Sequence, residues 1–156
     1  MTFLSFMEVD EEGNVNVSKL AKKPYLTAGC GGLVDITAHA KKIVFFGWFE
    51  AGAEIALDTS GLRVVKPGKL TKMVGQVKHV TFSGNRACEQ GQAVLYITGR
   101  CVIRLGAEGL VATEIMPGID PAQDIVAASQ GRVRVAENAT VMPLSLLSTA
   151  PMGLVP

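Results

Sequence analysis

The sequence predicts an α/β fold built on a mixed sheet, and three observations carry that expectation. A strand, a glycine-rich loop, a short helix and a second, nearly unbroken apolar strand follow one another between residues 3 and 49. Two pairs of β-prone runs flank tight turns further along the chain. Asp120 followed by Pro121 has the form of a helix start, an N-cap carboxylate before proline at the first helical position.

In chain order, residues 3–9 (FLSFMEV) read as a strand, DEEGN as a turn and VNVS as a second short strand. The loop TAGCGG comes next, then a helix over 33–40 with Leu33, Ile36 and Ala40 on one side. Residues 42–49 (KIVFFGWF) read as a strand covered on both faces. Strand, loop, helix, strand is a βαβ unit with a right-handed crossover. Residues 53–66 form a hairpin about TSG, and 77–83 alternate like a strand. NRACEQG makes a helical turn, 93–98 a central strand, and 101–115 a hairpin turning at Gly106–Gly109. The second helix ends near Ser129, 132–136 make a last strand, and 143–156 form a loose tail after a domain of residues 1–142.

A chain of 156 residues, 48% hydrophobic and 19% charged, is long enough for one core without metal or disulfide staples. A net charge of +1 gives no global attraction to nucleic acid or membrane. Its positive mean hydropathy fits a protein that covers part of its surface with a partner. Cys30, Cys88 and Cys101 are too scattered, and His39 and His79 too isolated, for a zinc site, so no metal is expected. Reduced thiols, an N-terminus without signal-peptide features and no apolar run of about 18 residues point to a cytoplasmic protein.

Four blocks, EVDEEGNVNVSKL, AGCGGLVDITAHAKKIVFFG, HVTFSGNRACEQGQAVLYIT and LVATEIMPGID, resemble in order and spacing the C-terminal part of the family I CoA-transferases. These are the acyl-CoA:acetate/3-ketoacid type, with the propionate CoA-transferase-like members. The resemblance covers about residues 3–130 and implies one half of a CoA-transferase fold, with a mainly parallel open sheet, flanking helices and β-hairpins. It also implies a ping-pong exchange of CoA between carboxylic acids through a glutamyl-CoA thioester, which is covalent catalysis. Coenzyme A or acyl-CoA is then a substrate, and no cofactor is bound covalently.

On that resemblance, Gly29, Gly31 and Gly32 bring bare backbone N–H groups to the acyl end of the thioester. The dipole of the following helix adds to them. Asn14 and Asn16 contact substrate or CoA. Read without the resemblance, the glycines close a tight turn and the asparagines bond backbone. The family's nucleophilic glutamate, in a Glu-x-Gly setting, is expected upstream of the first block and so outside this chain. Glu11, Glu50 and Glu89 are lookalikes in the wrong place, leaving no catalytic residue here.

The chain is therefore expected to be inactive alone, with the N-terminal half or α subunit as partner and a tendency to form homo-oligomers. The competing expectation is a non-catalytic remnant serving as a CoA-binding or assembly module. An isomerase-like enzyme of similar fold style lacks the four blocks.

Among the remaining residues, six cations between 59 and 88 (Arg63, Lys66, Lys69, Lys72, Lys78 and Arg86) either attract CoA phosphates or solvate a hairpin. Cys30 is expected to be a buried filler, and Phe45, Phe46, Trp48 and Phe49 to be core.

Overall fold

The computed structural model describes residues 1–20 and 23–148. Its strands are β1 (Thr2–Ser5), β2 (Glu8–Asp10), β3 (Val15–Asn16), β4 (Lys19–Leu20) and β5 (Lys23–Thr27). Helix α1 (Leu33–His39) follows, then β6 (Lys42–Phe46), β7 (Glu50–Ala51), β8 (Glu54–Asp58), β9 (Gly61–Lys66), β10 (Leu70–Thr71) and β11 (Met73–Val74). Helix α2 (Gly84–Glu89), β12 (Ala93–Ile97), β13 (Cys101–Gly106) and β14 (Gly109–Ile115) lead to a wide π-type helix at Pro121–Ala127 and to β15 (Val133–Val141).

The main sheet has the order β1-β6-β12-β13-β14-β15. Three of its pairings are parallel, β1–β6, β6–β12 and β14–β15, and β13 alone runs against the others. The mixed, mainly parallel sheet expected from sequence is present. Both hairpins also stand where the turn chemistry placed them, β8–β9 and β13–β14. The Asp120 carboxylate accepts N–H bonds from Ala122 and Gln123, as an N-cap should. Bonds from the Ala128 N–H to the Gln123 carbonyl and from Gly131 to Val126 span five residues, giving the helix its wide turn.

Four expectations are corrected. Residues 3–9 are two strands, because the Phe6 N–H still bonds the Phe46 carbonyl while the Met7 N–H turns to Asn16. The alternating residues 77–83 are not a strand: the segment meets Val15 through backbone bonds of Thr81 and Phe82 in one isolated bridge and is otherwise irregular. The last strand extends through Val141, lengthened by a register shift opposite Ala112 and Glu114. In α1 the second buried residue is Thr37, with Ile36 45% exposed. Of the tail, Leu144–Leu147 make one 3₁₀ turn, and residues 149–156 lie outside the described residues.

The core lies on one face of the main sheet. Register puts Leu4, Phe45, Tyr96, Ile103, Ala112 and Val135 in one row across the sheet, all in the central apolar cluster or packed against it. Leu33 of α1, Ala87 of α2 and Ile125 of the wide helix join that cluster, so all three helices cover the same face. The opposite face stays open: Phe3 is 61% and Phe46 50% exposed, and Trp48 just beyond β6 is 69% exposed. The expectation that residues 42–49 are covered on both sides, with Phe46 and Trp48 in the core, is therefore wrong. An unbroken apolar run marks both faces of a strand as apolar without saying whose atoms cover the second face.

Cys101 and Tyr96 are fully buried in the core. Burial pushes the Cys101 thiol up to about 12, against smaller lowering effects from the Thr98 hydroxyl and the Arg100 charge. Burial, with the nearby Asp10 carboxylate, holds the Tyr96 phenol well above its usual value. Between pH 9 and 12 the unfolded chain sheds the thiol proton that the folded chain keeps. Folding stability is expected to fall across that window by about 1.4 kcal/mol per pH unit from Cys101 alone. Urea titrations at pH 8 and pH 10.5 measure the difference, and a Cys101→Ala variant should show a shallower decline.

Candidate functional site

The first block folds into a tight knot for identifiable reasons. The Asp10 carboxylate accepts N–H bonds from Glu12, Asn14 and Val77 and one from the Asn14 carboxamide. Gly13 lies at φ +75° with its carbonyl accepting the Tyr96 hydroxyl at 2.6 Å. A Cβ there would stand 2.6 Å from Leu105 and 2.9 Å from that hydroxyl, so only glycine fits. The Asn14 carboxamide bonds Asp10 and Glu12 as donor and the Gly84 N–H as acceptor, joining the β2–β3 hairpin to the start of α2.

Asn16 is fully buried. Its Nδ2 donates to Glu8 and to the Lys19 carbonyl, and its Oδ1 accepts from the Ser18 and Lys19 N–H groups. Ser18 in turn anchors the glycine loop, because the Ala28 N–H donates to the Ser18 carbonyl at 2.8 Å. The Ser18 hydroxyl also bonds His79 Nδ1 at 2.6 Å, a partnership that sequence reasoning missed. Both asparagines are thus spent on internal bonds, and Asn16 holds the stem from which the loop springs.

The loop itself is open. Residues 27–29, 31 and 32 are exposed and Cys30 is half-exposed, not the buried filler expected. Among the described residues, no N–H from Gly29 to Gly32 donates to a protein acceptor, and Leu33 bonds back to the Cys30 carbonyl. Only Gly31 has a left-handed backbone, at φ +55°. A Cβ on Gly31 would meet nothing within 4 Å, on Gly29 only a backbone nitrogen at 4.0 Å, and on Gly32 the Ile36 side chain at 3.6 Å. Turn geometry therefore needs one of the three glycines. Helix α1 has seven residues and a glycine cap without a side-chain bond, so backbone N–H groups, and not a macrodipole, are what this loop can offer.

The loop shares an edge of the sheet with a second feature. Because α1 runs back to the start of β6 through two residues, its N-terminus lies toward the carboxyl ends of β1, β6 and β12. That edge of an open parallel sheet is where ligands of such folds bind. An apolar cavity of about 590 Å³ opens there, lined by Phe6, Phe46, Trp48 and Ile97 with the backbone of Gly47 and Gly99.

The glutamate lookalikes are otherwise engaged or remote. Glu50 is buried and ion-paired with the equally buried Arg100, and it accepts the Gly68 N–H. Glu11 pairs with Arg132 at 3.2 Å, and Glu89 is an exposed residue at the end of α2. Nothing in the sequence marked Arg100 as Glu50's partner fifty residues away. Of the six cations, Arg63 and Lys66 pair with Asp58 and Glu54 on their own hairpin, the solvated-hairpin reading. No cluster of metal-binding side chains occurs among the described residues, and no described helix is long and apolar enough to cross a membrane.

No family model matches the chain. It is 39% identical over 154 residues to the acetate CoA-transferase YdiF of Escherichia coli strain K12, covering 98% of this chain and 28% of that protein. It is 41% identical over 126 residues to the caffeate CoA-transferase of Acetobacterium woodii, covering 79% and 24%. The crystal structure of YdiF apoenzyme from E. coli O157:H7 superposes with a TM-score of 0.89 at 36% identity, over 98% of this chain and 29% of that one. A thioester complex of the same enzyme with CoA aligns equally well, at 0.89. Glutaconate CoA-transferase from Acidaminococcus fermentans shares the fold, with a TM-score of 0.64 at 15% identity over 91% of this chain. The chain spans about 28% of the length of the acetate CoA-transferase it matches. In sequence and in fold, it is a relative of the family I CoA-transferases.

Proposed function

We propose that this chain supplies the CoA-facing wall of an acyl-CoA:carboxylate CoA-transferase site, and that a complementary polypeptide carries the nucleophilic glutamate. The observation that carries this reading is the run of unbonded, exposed N–H groups from Gly29 to Gly32, two of whose glycines the turn itself does not need. In the exchange, the glutamate carboxylate attacks the thioester carbonyl, and the oxyanion of each tetrahedral intermediate meets preorganised donors from this loop. CoA leaves as thiolate and then attacks the glutamyl carbonyl of the anhydride, which breaks the anhydride C–O bond, releases the donor acid as carboxylate and forms the glutamyl-CoA thioester. The incoming carboxylate reverses those steps.

Gly29, Gly31 and Gly32 are the contact residues. Asn14 and Asn16 hold the loop's stem and its neighbouring hairpin in place. CoA is a substrate here and no prosthetic group takes part. A complementary half that brings the glutamate makes the assembly an oligomer or a two-part enzyme. The reading is tested by titrating the ¹⁵N-labelled chain with CoA to millimolar concentration. The amide resonances of residues 29–32 are expected to shift before any others, and a titration that leaves them unmoved contradicts the proposal.

A further inference from the structure

Ser18 is buried, and its hydroxyl has one partner among the described residues, Nδ1 of the exposed His79 at 2.6 Å. On the serine side this contact leads straight to the glycine loop. Ser18 lies in the bend between β3 and β4, outside any strand. Its N–H donates to Asn16 Oδ1 at 3.0 Å, and its carbonyl accepts the Ala28 N–H at 2.8 Å. Ala28 precedes Gly29, so this is the last bonded N–H before the unbonded run from Gly29 to Gly32.

On the histidine side the ring rides on a short arch between two fixed points. The Val77 N–H donates to the Asp10 carboxylate at 3.2 Å, and the Thr81 N–H to the Val15 carbonyl at 2.9 Å. The Thr81 hydroxyl donates to the same carbonyl and accepts the Val17 N–H. Residues 78–80 between them are exposed and belong to no helix or strand. The arch is thus tied to the chain on both sides of Asn16, and the His79 ring closes the circuit onto Ser18. Either partner of that contact can donate, so a neutral ring takes the serine proton and a protonated ring gives one.

Resting on the functional reading above, we infer that His79, acting through Ser18, is a positioning residue for the oxyanion donors. It fixes the bend whose carbonyl holds Ala28, and so sets where the N–H groups of Gly29–Gly32 stand against the thioester. A role in the fold alone would look different. An exposed ring contributes little to stability, whereas displaced donors slow the chemical step and leave the fold intact.

Amide hydrogen exchange of the ¹⁵N-labelled chain tests the tie without CoA. His79→Ala is expected to raise exchange at Ala28 about tenfold while leaving Thr81, Phe82 and the melting temperature unchanged. His79→Asn carries a carboxamide where Nδ1 stood and should restore the protection. Ser18→Ala should match His79→Ala at Ala28, and the double variant should add nothing further. The chain is also mixed with the part of E. coli YdiF that it does not match, produced as a separate polypeptide. In that enzyme His79→Ala should lower kcat about tenfold with KM for acyl-CoA within about twofold, and His79→Asn should recover the rate.

Unchanged exchange at Ala28, a loss of protection that spreads to Thr81 and Phe82, no rescue by His79→Asn, or a kcat that His79→Ala leaves intact would each overturn the inference. The functional reading has its own readout, the Gly29–Gly32 amide shifts with CoA in the unmodified chain. Amides that ignore CoA, or a mixture inactive even with the unmodified chain, would refute that reading, and exchange at Ala28 would still decide the tie. Shifts with CoA beside an Ala28 indifferent to His79→Ala would refute only the positioning role.

Discussion

Glu50→Ala is expected to destabilise the fold by about 3–5 kcal/mol, the largest effect of any single side-chain truncation here. Arg100 is 2% exposed and is held from three directions. Glu50 pairs with its Nη2, the Asp124 carbonyl accepts from Nη1 at 2.8 Å, and the Phe49 ring lies 4.9 Å beneath the guanidinium carbon. Removing the carboxylate leaves a guanidinium in the interior with a carbonyl and a ring as its only compensation. Arginine cannot discharge by losing a proton in the accessible pH range.

The Gly68 N–H loses its acceptor in the same substitution. For a chain of this size the loss corresponds to roughly 10 °C in melting temperature. The double variant Glu50→Leu with Arg100→Met should recover most of it, because an apolar pair of similar volume needs no desolvation of charge. Thermal unfolding followed by circular dichroism measures both. If Glu50→Ala melts within 2 °C of the unmodified chain, the pair does not organise the junction of β7, the β12–β13 turn and the wide helix.

The second large effect concerns activity in place of stability. Gly29→Val is expected to leave the melting temperature nearly unchanged while lowering CoA transfer by the reconstituted enzyme about 10²-fold. No positive φ constrains Gly29, and a Cβ there makes no close contact within the chain. A valine side chain would instead occupy the space through which the thioester carbonyl must approach the loop, and misplacement of reacting atoms by about 1 Å is enough for a loss of that size. Gly31→Ala should behave differently, losing about 1 kcal/mol of stability for its left-handed backbone as well as activity. If the loop only turned the chain toward α1, Gly31 alone would matter and Gly29→Val would be silent in both assays.

The parts of this fold that were legible in the sequence are those whose cause is local. The TSG and Gly106–Gly109 turns, the Asp120–Pro121 helix start and the glycine loop before α1 each rest on residues within a few positions of one another. The parts that were not legible depend on distant partners. Among the described residues, 77–83 make one β-bridge, at Val15 through Thr81 and Phe82, so their alternation makes no strand, and the Phe3–Val9 run breaks because Met7 leaves β6 for Asn16. The exposure of Phe46 and Trp48 had no local signal, since hydropathy records that a face is apolar and not which polypeptide covers it.

The site divides the same way. The bare loop was readable as glycines, whereas the internal bonding of Asn14 and Asn16 and the Ser18–Ala28 anchor depend on how the hairpin folds back on itself.

The most direct measurement is mass spectrometry of the chain mixed with the unmatched part of E. coli YdiF, after incubation with acetyl-CoA and trapping with borohydride. The account predicts a CoA-dependent modification on a glutamate of the added polypeptide, formed only when both are present and strongly reduced by Gly29→Val in this chain. A modification that forms equally well without this chain, or one that appears on Glu11, Glu50 or Glu89, contradicts it.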